Sequence, residues 1–170
     1  MKLFMTAVLA LVAFLSISTS AIAATGSDAK RCLDWEANLQ TETGETFSSY
    51  EDCLAYAKHG KLYQPLVGNS LASVGSLETS TLRGTGFHRN VQLTVLFFIE
   101  GYELPLQFGG PAVTDNRGEL ELPWTLFDCA IVPGGFGEAP YDVYFLVIEG
   151  NPFDPNYQGG LAARTDFRVC

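Results

Sequence analysis

The feature that most constrains this chain is a succession of short β-type runs across residues 70–170, separated by glycine and proline turns. The strongest are 91–99 (VQLTVLFFI) and 141–149 (YDVYFLVIE), both dense in β-branched and aromatic residues, which fit a pleated, half-buried surface. Residues 76–86 (SLETSTLRGTG), 119–126 (ELELPWTL) and 162–169 (AARTDFRV) add further runs, and 104–108 a short one. Thr114-Asp115-Asn116-Arg117-Gly118 reads as a hairpin turn, with glycine where a positive φ is needed. Strands punctuated in this way, with no helical pattern between them, predict a mainly β fold and a β-sandwich over 67–170.

Alternation within the runs predicts which side chains face inward. Leu120, Leu122, Trp124 and Leu126 share one face of their strand, and Ala163, Thr165, Phe167 and Val169 share one face of theirs. Residues 91–99 turn Val91, Leu93, Val95 and Phe97 inward but carry Leu96 and Phe98 on the other face. Residues 141–149 repeat this, with Val143, Phe145 and Val147 opposed by Tyr144, Leu146 and Ile148. A sheet with one solvated face should alternate with polar residues. Something is therefore expected to cover this outer face, and the N-terminal aromatics Trp35, Phe47 and Tyr56 are the nearest candidates.

Residues 1–24 have a different character. Lys2 is the only charge, an apolar run (MKLFMTAVLALVAFL) follows, and Ala21-Ile22-Ala23 supplies the small residues of a cleavage site. This is the order of a secretory signal peptide, and its apolar run is shorter than a membrane span of about 20 residues. The expectation is a secreted, extracellular protein with no stable membrane insertion after cleavage. Nineteen acidic against ten basic residues give a net charge of −9, which argues against a nucleic-acid partner.

Export makes the four cysteines readable as disulfides. Cys32 and Cys53 lie in residues 25–66, a piece unlike the rest, and Cys129 and Cys170 lie in the β-rich part. Of the three pairings that four cysteines allow, Cys32–Cys53 with Cys129–Cys170 closes each loop within one unit. No Cys-x-x-Cys occurs, so no metal site and no cofactor is expected. In residues 25–66, alternation of Trp35, Ala37 and Leu39 after Cys32 predicts a strand, and Thr43-Gly44-Glu45 a turn. Ser48 or Ser49 then caps a helix over 50–58, with Glu51 and Asp52 in its first turn. Gly60 is expected to end that helix in a left-handed conformation. So small a hairpin-and-helix unit needs a staple.

This unit resembles a short module of exported bacterial proteins. The shared positions are Cys32, Trp35, Gly44, Phe47, Cys53, Tyr56 and Gly60, with Tyr50-Glu51-Asp52 where the module has Asn-Gln-Gly. The resemblance implies an extracellular setting and no chemistry. Residues 67–170 resemble bacterial immunoglobulin-like domains, through Gly84-x-Gly86, the strand 91–99, the turn 114–118, Tyr141-x-Val143-x-Phe145 and Phe167-x-Val169. That likeness implies an immunoglobulin-like β-sandwich of about seven strands. It does not fix a function, because the architecture hosts many.

Catalytic constellations are sparse. The chain has two histidines, His59 and His88, and no Gly-x-Ser-x-Gly elbow. Gly134-Gly135-Phe136-Gly137 lacks the lysine of a phosphate-binding loop. Glu119 and Glu121 share a strand face and read as solvated. The expectation is a non-enzymatic binding or cell-surface interaction protein with an extracellular protein or glycan partner. A structural spacer of the envelope is the first alternative, and a small secreted hydrolase or enzyme inhibitor the second. In the sandwich order, residues 87–90 and the loop 150–160 fall at one tip, so Phe87, His88, Arg89, Phe153, Asp154 and Tyr157 form the candidate ligand-binding set. Prolines restrain the loop and lower the entropy lost on binding. In the opposing reading, Phe153 folds back to plug the end of the sandwich and Arg89 is only solvated.

Overall fold

A computed structural model of the chain describes residues 26–100, 106–107, 112–129 and 140–170. The expected signal segment 1–24 and the glycine run 134–137 lie outside the described residues. Two short helices come first, α1 (Gly26–Cys32) and α2 (Tyr50–Ala57). The strands follow as β1 (Leu66–Asn69), β2 (Ser73–Val74), β3 (Thr79–Thr85), β4 (Gln92–Ile99), β5 (Leu106–Gln107), β6 (Ala112–Val113), β7 (Leu120–Thr125), β8 (Tyr141–Glu149) and β9 (Ala162–Val169). One sheet has the order β1-β3-β7, and the other β2-β9-β8-β4-β5, with β6 also on β4.

The inward faces of both sheets meet in one core. Leu82, Leu120 and Trp124 come from one sheet, and Val95, Phe97, Val143, Phe145, Val147, Phe167 and Val169 from the other. The Trp124 and Phe145 rings meet edge-to-face at 5.0 Å, and Phe145 and Phe167 stack at 5.1 Å. Burying each such aromatic contributes about 2–3 kcal/mol. The Trp124 indole N–H donates to Asn69 Oδ1 (3.0 Å), so its one polar atom is satisfied in the core. The arrangement is mainly β and sandwich-like, and the expected inward residues of β4, β8 and β9 lie where alternation put them.

On the outer face Leu96 and Thr94 are buried, but the three N-terminal aromatics do not supply the cover. Trp35, Phe47 and Tyr56 pack with Cys32, Leu39, Cys53 and Leu62 in a separate small core of the N-terminal unit. The outward aromatics of the sheet pack on one another. Phe98 and Tyr144, paired across β4 and β8, stack at 4.6 Å with their planes 8° apart. The Arg164 guanidinium lies 3.7 Å from the centroid of the Tyr144 ring. A cation on an aromatic face adds an attraction of its own.

The N-terminal unit departs from the sequence reading in one element. Residues 32–39 are not a strand: α1 ends at Cys32 and turns continue to Asn38. The N–H of Trp35 bonds the carbonyl of Cys32, and that of Ala37 the carbonyl of Asp34. Apolar spacing of two is ambiguous over so few residues, and these i to i−3 bonds decide it. Extended pairing survives only at Gln40, which bridges to Thr46 and Tyr63. The second helix forms as read, capped by Ser49, whose hydroxyl accepts the N–H of Asp52 (3.1 Å). Gly60 does not adopt a positive φ; a Cβ there would stand 2.4 Å from the Tyr56 ring, which is why the position is glycine. Both expected disulfides are present, Cys32–Cys53 and Cys129–Cys170, each with a Cα–Cα distance of 5.7 Å.

Candidate functional site

The expected tip is built around a residue that continues the inward series of β8. After Val143, Phe145 and Val147 comes Glu149, which is 7% exposed. A buried carboxylate needs hydrogen-bond donors around it. Its Oε1 accepts the backbone N–H of His88 (2.6 Å), Oε2 lies 2.7 Å from His88 Nδ1, and the N–H of Leu161 reaches Oε2 at 3.4 Å. Thr114 holds the 88–91 turn from behind, donating its hydroxyl to the carbonyl of His88 (2.7 Å) and accepting the N–H of Val91 (3.0 Å). The Tyr63 ring lies 4.4 Å from the His88 ring, and Lys61 Nζ lies 4.6 Å from the centroid of the Tyr63 ring. Burial, then the charges of Glu42 and Glu149, raise the Tyr63 phenol above its ordinary value. Burial and Glu149 likewise raise that of Tyr157.

The loop 150–160 is ordered by its own side chains. Asn151 Oδ1 accepts the N–H of Phe153 (3.0 Å), and Asp154 Oδ1 accepts that of Asn156 (2.8 Å). These are turns in which a side chain imitates the backbone. The far end of the loop meets the N-terminal unit backbone to backbone. Gly44 and Gly159 both have positive φ, 86° and 102°. A Cβ at Gly44 would stand 2.0 Å from the carbonyl oxygen of Gly160, and one at Gly159 would stand 2.7 Å from that of Thr43. No side chain fits between the two turns. Beside them the buried Gln40 amide donates to the carbonyl of Ala162 (2.6 Å) and accepts its N–H (3.0 Å).

His88 of the 87–90 turn meets Glu149, the residue just before the 150–160 loop, and not every candidate side chain is offered outward. Phe87 is 4% exposed and belongs to the sandwich core. It cannot contact a ligand, and it, not Phe153, plugs the sandwich end. Phe153 is 61% exposed. Arg89 is exposed and has no hydrogen bond or ion pair to another described residue. Asp154 is exposed with one oxygen engaged by Asn156, and Tyr157 is half-buried against Gly150. His88 braces the turn through Glu149. Sequence reasoning missed Glu149, Tyr63 and Gln40. Glu149 was readable, since an acid at the next inward position of β8 signals a buried partner; Gln40 and Tyr63 carry no such signal.

The His88–Glu149 pair has the composition of an acid–base pair, yet its geometry is that of a brace. His88 Nε2 is buried and without a hydrogen-bond partner among the described residues. Among the described residues no cluster of three or more His, Cys, Asp or Glu could hold a metal ion. Asp115 accepts the N–H groups of Arg117 and Glu119 (2.8 Å each), first that of Glu119 in effect, and these hold its carboxyl below the usual range. That is the turn chemistry expected for 114–118. Among the described residues no helix is long and apolar enough to cross a membrane.

No family model and no curated protein matches this chain. Among solved structures it is similar to the sporulation control protein Spo0M of Bacillus subtilis, with 12% identity and a TM-score of 0.32. The match covers 62% of this chain and 48% of that one, so the chain spans about half the length of Spo0M. At that score the likeness carries no argument about fold or function.

Proposed function

We propose that this is an exported, immunoglobulin-like binding protein that engages an extracellular protein or glycan through its tip. The observation that carries the reading is Phe153: a 61% exposed aromatic held on a loop whose turns are fixed before any partner arrives. An exposed aromatic on a preordered loop is a common binding anchor, because little entropy remains to be lost. Arg89, unpaired among the described residues, adds a cation to the same tip of an acidic protein. Two disulfides are consistent with an oxidising compartment. The test is a glycan array and a pull-down from the native secretome, each with the wild-type chain and with Phe153→Ser. Binding lost in Phe153→Ser at unchanged melting temperature supports the reading. Equal binding by both forms moves the site elsewhere, and clean negatives in both assays favour a spacer.

A further inference from the structure

The six arginines of this chain divide into two groups. Four are engaged. Arg31 donates to the carbonyl of Leu62 (3.0 Å), Arg83 pairs with Glu121 (3.2 Å), Arg164 with Asp166 (2.9 Å) and Arg168 with Asp142 (2.9 Å). The other two, Arg89 and Arg117, are exposed, and their guanidinium groups bond no described residue. Both stand at one end of the sandwich, on turns that touch backbone to backbone. The N–H of Asn90 bonds the carbonyl of Asp115 (3.1 Å), and that of Thr114 the carbonyl of Val91 (3.0 Å). A Cβ at Gly118, whose φ is 78°, would stand 2.2 Å from the carbonyl oxygen of Phe87. Arg89 and Arg117 each precede one of these contacts by a single residue. Beside each is an exposed asparagine, Asn90 or Asn116, whose side-chain amide also bonds no described residue. The N–H of Gly150 bonds the carbonyl of Gln92 (2.8 Å), so the loop that carries Phe153 leaves from the same end of β4. The acids Asp115 and Asp154 are occupied by their own turns. Asp115 Oδ1 accepts the N–H groups of Arg117 and Glu119, and Asp154 Oδ1 that of Asn156 (2.8 Å in each case).

We propose, resting on the tip reading, that these two turns bind acidic sugar units of a glycan, with Arg89 and Arg117 on carboxylates and Asn90 and Asn116 on neighbouring hydroxyls. A guanidinium fork meets a carboxylate with two parallel hydrogen bonds, and it stays charged at any physiological pH. A primary amide both donates and accepts, as a sugar hydroxyl does. Arginine beside asparagine, twice over, therefore matches an acid group set among hydroxyls. The exposed Phe153 ring offers a surface for the C–H face of a sugar. An acidic peptide would meet the arginines equally well but brings no row of hydroxyls to the amides. The chain as a whole carries −9, which repels a polyanion. Along the strands, Arg83, Arg164 and Arg168 already have their acids. An anionic ligand is thus directed to the turns and not to the sheet faces.

The probes are oligomers of galacturonic, mannuronic and glucuronic acid, with their methyl esters as uncharged matches and a glutamate-rich peptide as the competing occupant. Each is titrated calorimetrically onto the full chain. Arg89→Gln with Arg117→Gln tests the turns, and Arg83→Gln with Arg168→Gln removes the same charge elsewhere. Exposed pairs contribute little to stability, so melting temperatures should stay close to wild type. At least one acidic oligomer should bind wild type and weaken by about tenfold or more on the turn variant. It should weaken by less than about threefold on the strand variant, and its affinity should fall as salt rises. Asn116→Ala should weaken the oligomer and leave any binding of the peptide unchanged. The proposal is overturned if no acidic oligomer binds, if the esters bind equally, if the two arginine variants lose alike, or if the peptide binds as tightly as the oligomers. A partner that needs Phe153 but neither arginine also overturns it and leaves the tip reading standing. Oligomer binding that needs the arginines and ignores Phe153→Ser upholds it and removes the aromatic anchor.

Discussion

The N-terminal unit and the sandwich are held together by different means. The sandwich buries aromatic and branched side chains from two sheets, with Phe97, Trp124, Phe145 and Phe167 in mutual contact. The N-terminal unit buries only Leu39, Phe47 and Leu62 around the Cys32–Cys53 bridge. So small a core cannot offset the conformational entropy of its chain, and the remainder comes from the covalent staple and from leaning on its neighbour. The lean is the set of contacts at Gln40, Gly44 and Tyr63. Size therefore decides where each region is fragile: the sandwich at its centre, the module at its staple and its seam.

The largest effect should separate the two regions outright. Phe145→Ala removes the ring that meets Phe97, Trp124 and Phe167 and should cost about 3–5 kcal/mol of sandwich stability, read by denaturant unfolding. Replacing Cys32 and Cys53 together by serine should cost about 3 kcal/mol by the chain-entropy account, and amide exchange should place the loss in residues 26–63 with β8 and β9 still protected. Equal loss of protection in both regions would erase the distinction.

The seam comes next. Gly44→Ala puts a methyl into the carbonyl of Gly160 and demands a positive φ of alanine, so it should cost about 1–3 kcal/mol. Exchange should rise in both 42–46 and 158–162, because the two turns share the contact. A rise confined to the module would show that the sandwich does not depend on the seam. Ser49→Ala removes the cap of α2 and should cost about 1 kcal/mol, confined to the module. The smallest effect is alkaline. The Tyr63 and Tyr157 phenols have raised values in the folded chain, so their contribution to stability is complete below the unfolded value of about 10 and falls as pH rises through the folded ones. Ultraviolet titration should show a late-ionising tyrosine fraction, and Tyr63→Phe should reduce it.

Legibility in the sequence followed the same division. The runs 141–149 and 162–169 became β8 and β9 with the same bounds, since long alternating segments fix their own period. The capped helix was equally readable from Ser49 and its acidic first turn. β1 and β2 were not, because Leu66–Asn69 and Ser73–Val74 are too short to show a period and exist only by pairing with β3 and β9. The misread of 32–39 had the same cause. At the tip, which aromatic turned inward depended on space at the sandwich end, and Phe87 filled it.

The bridge from Cys129 to Cys170 spans 41 positions and encloses both β8 and β9 in one covalent ring. Tension applied at residue 170 passes through sulfur to residue 129 and bypasses the strands between. β9 is then not peeled from β8 by a pull at that end. The tip loop that joins these strands stays in register while the load is carried around it.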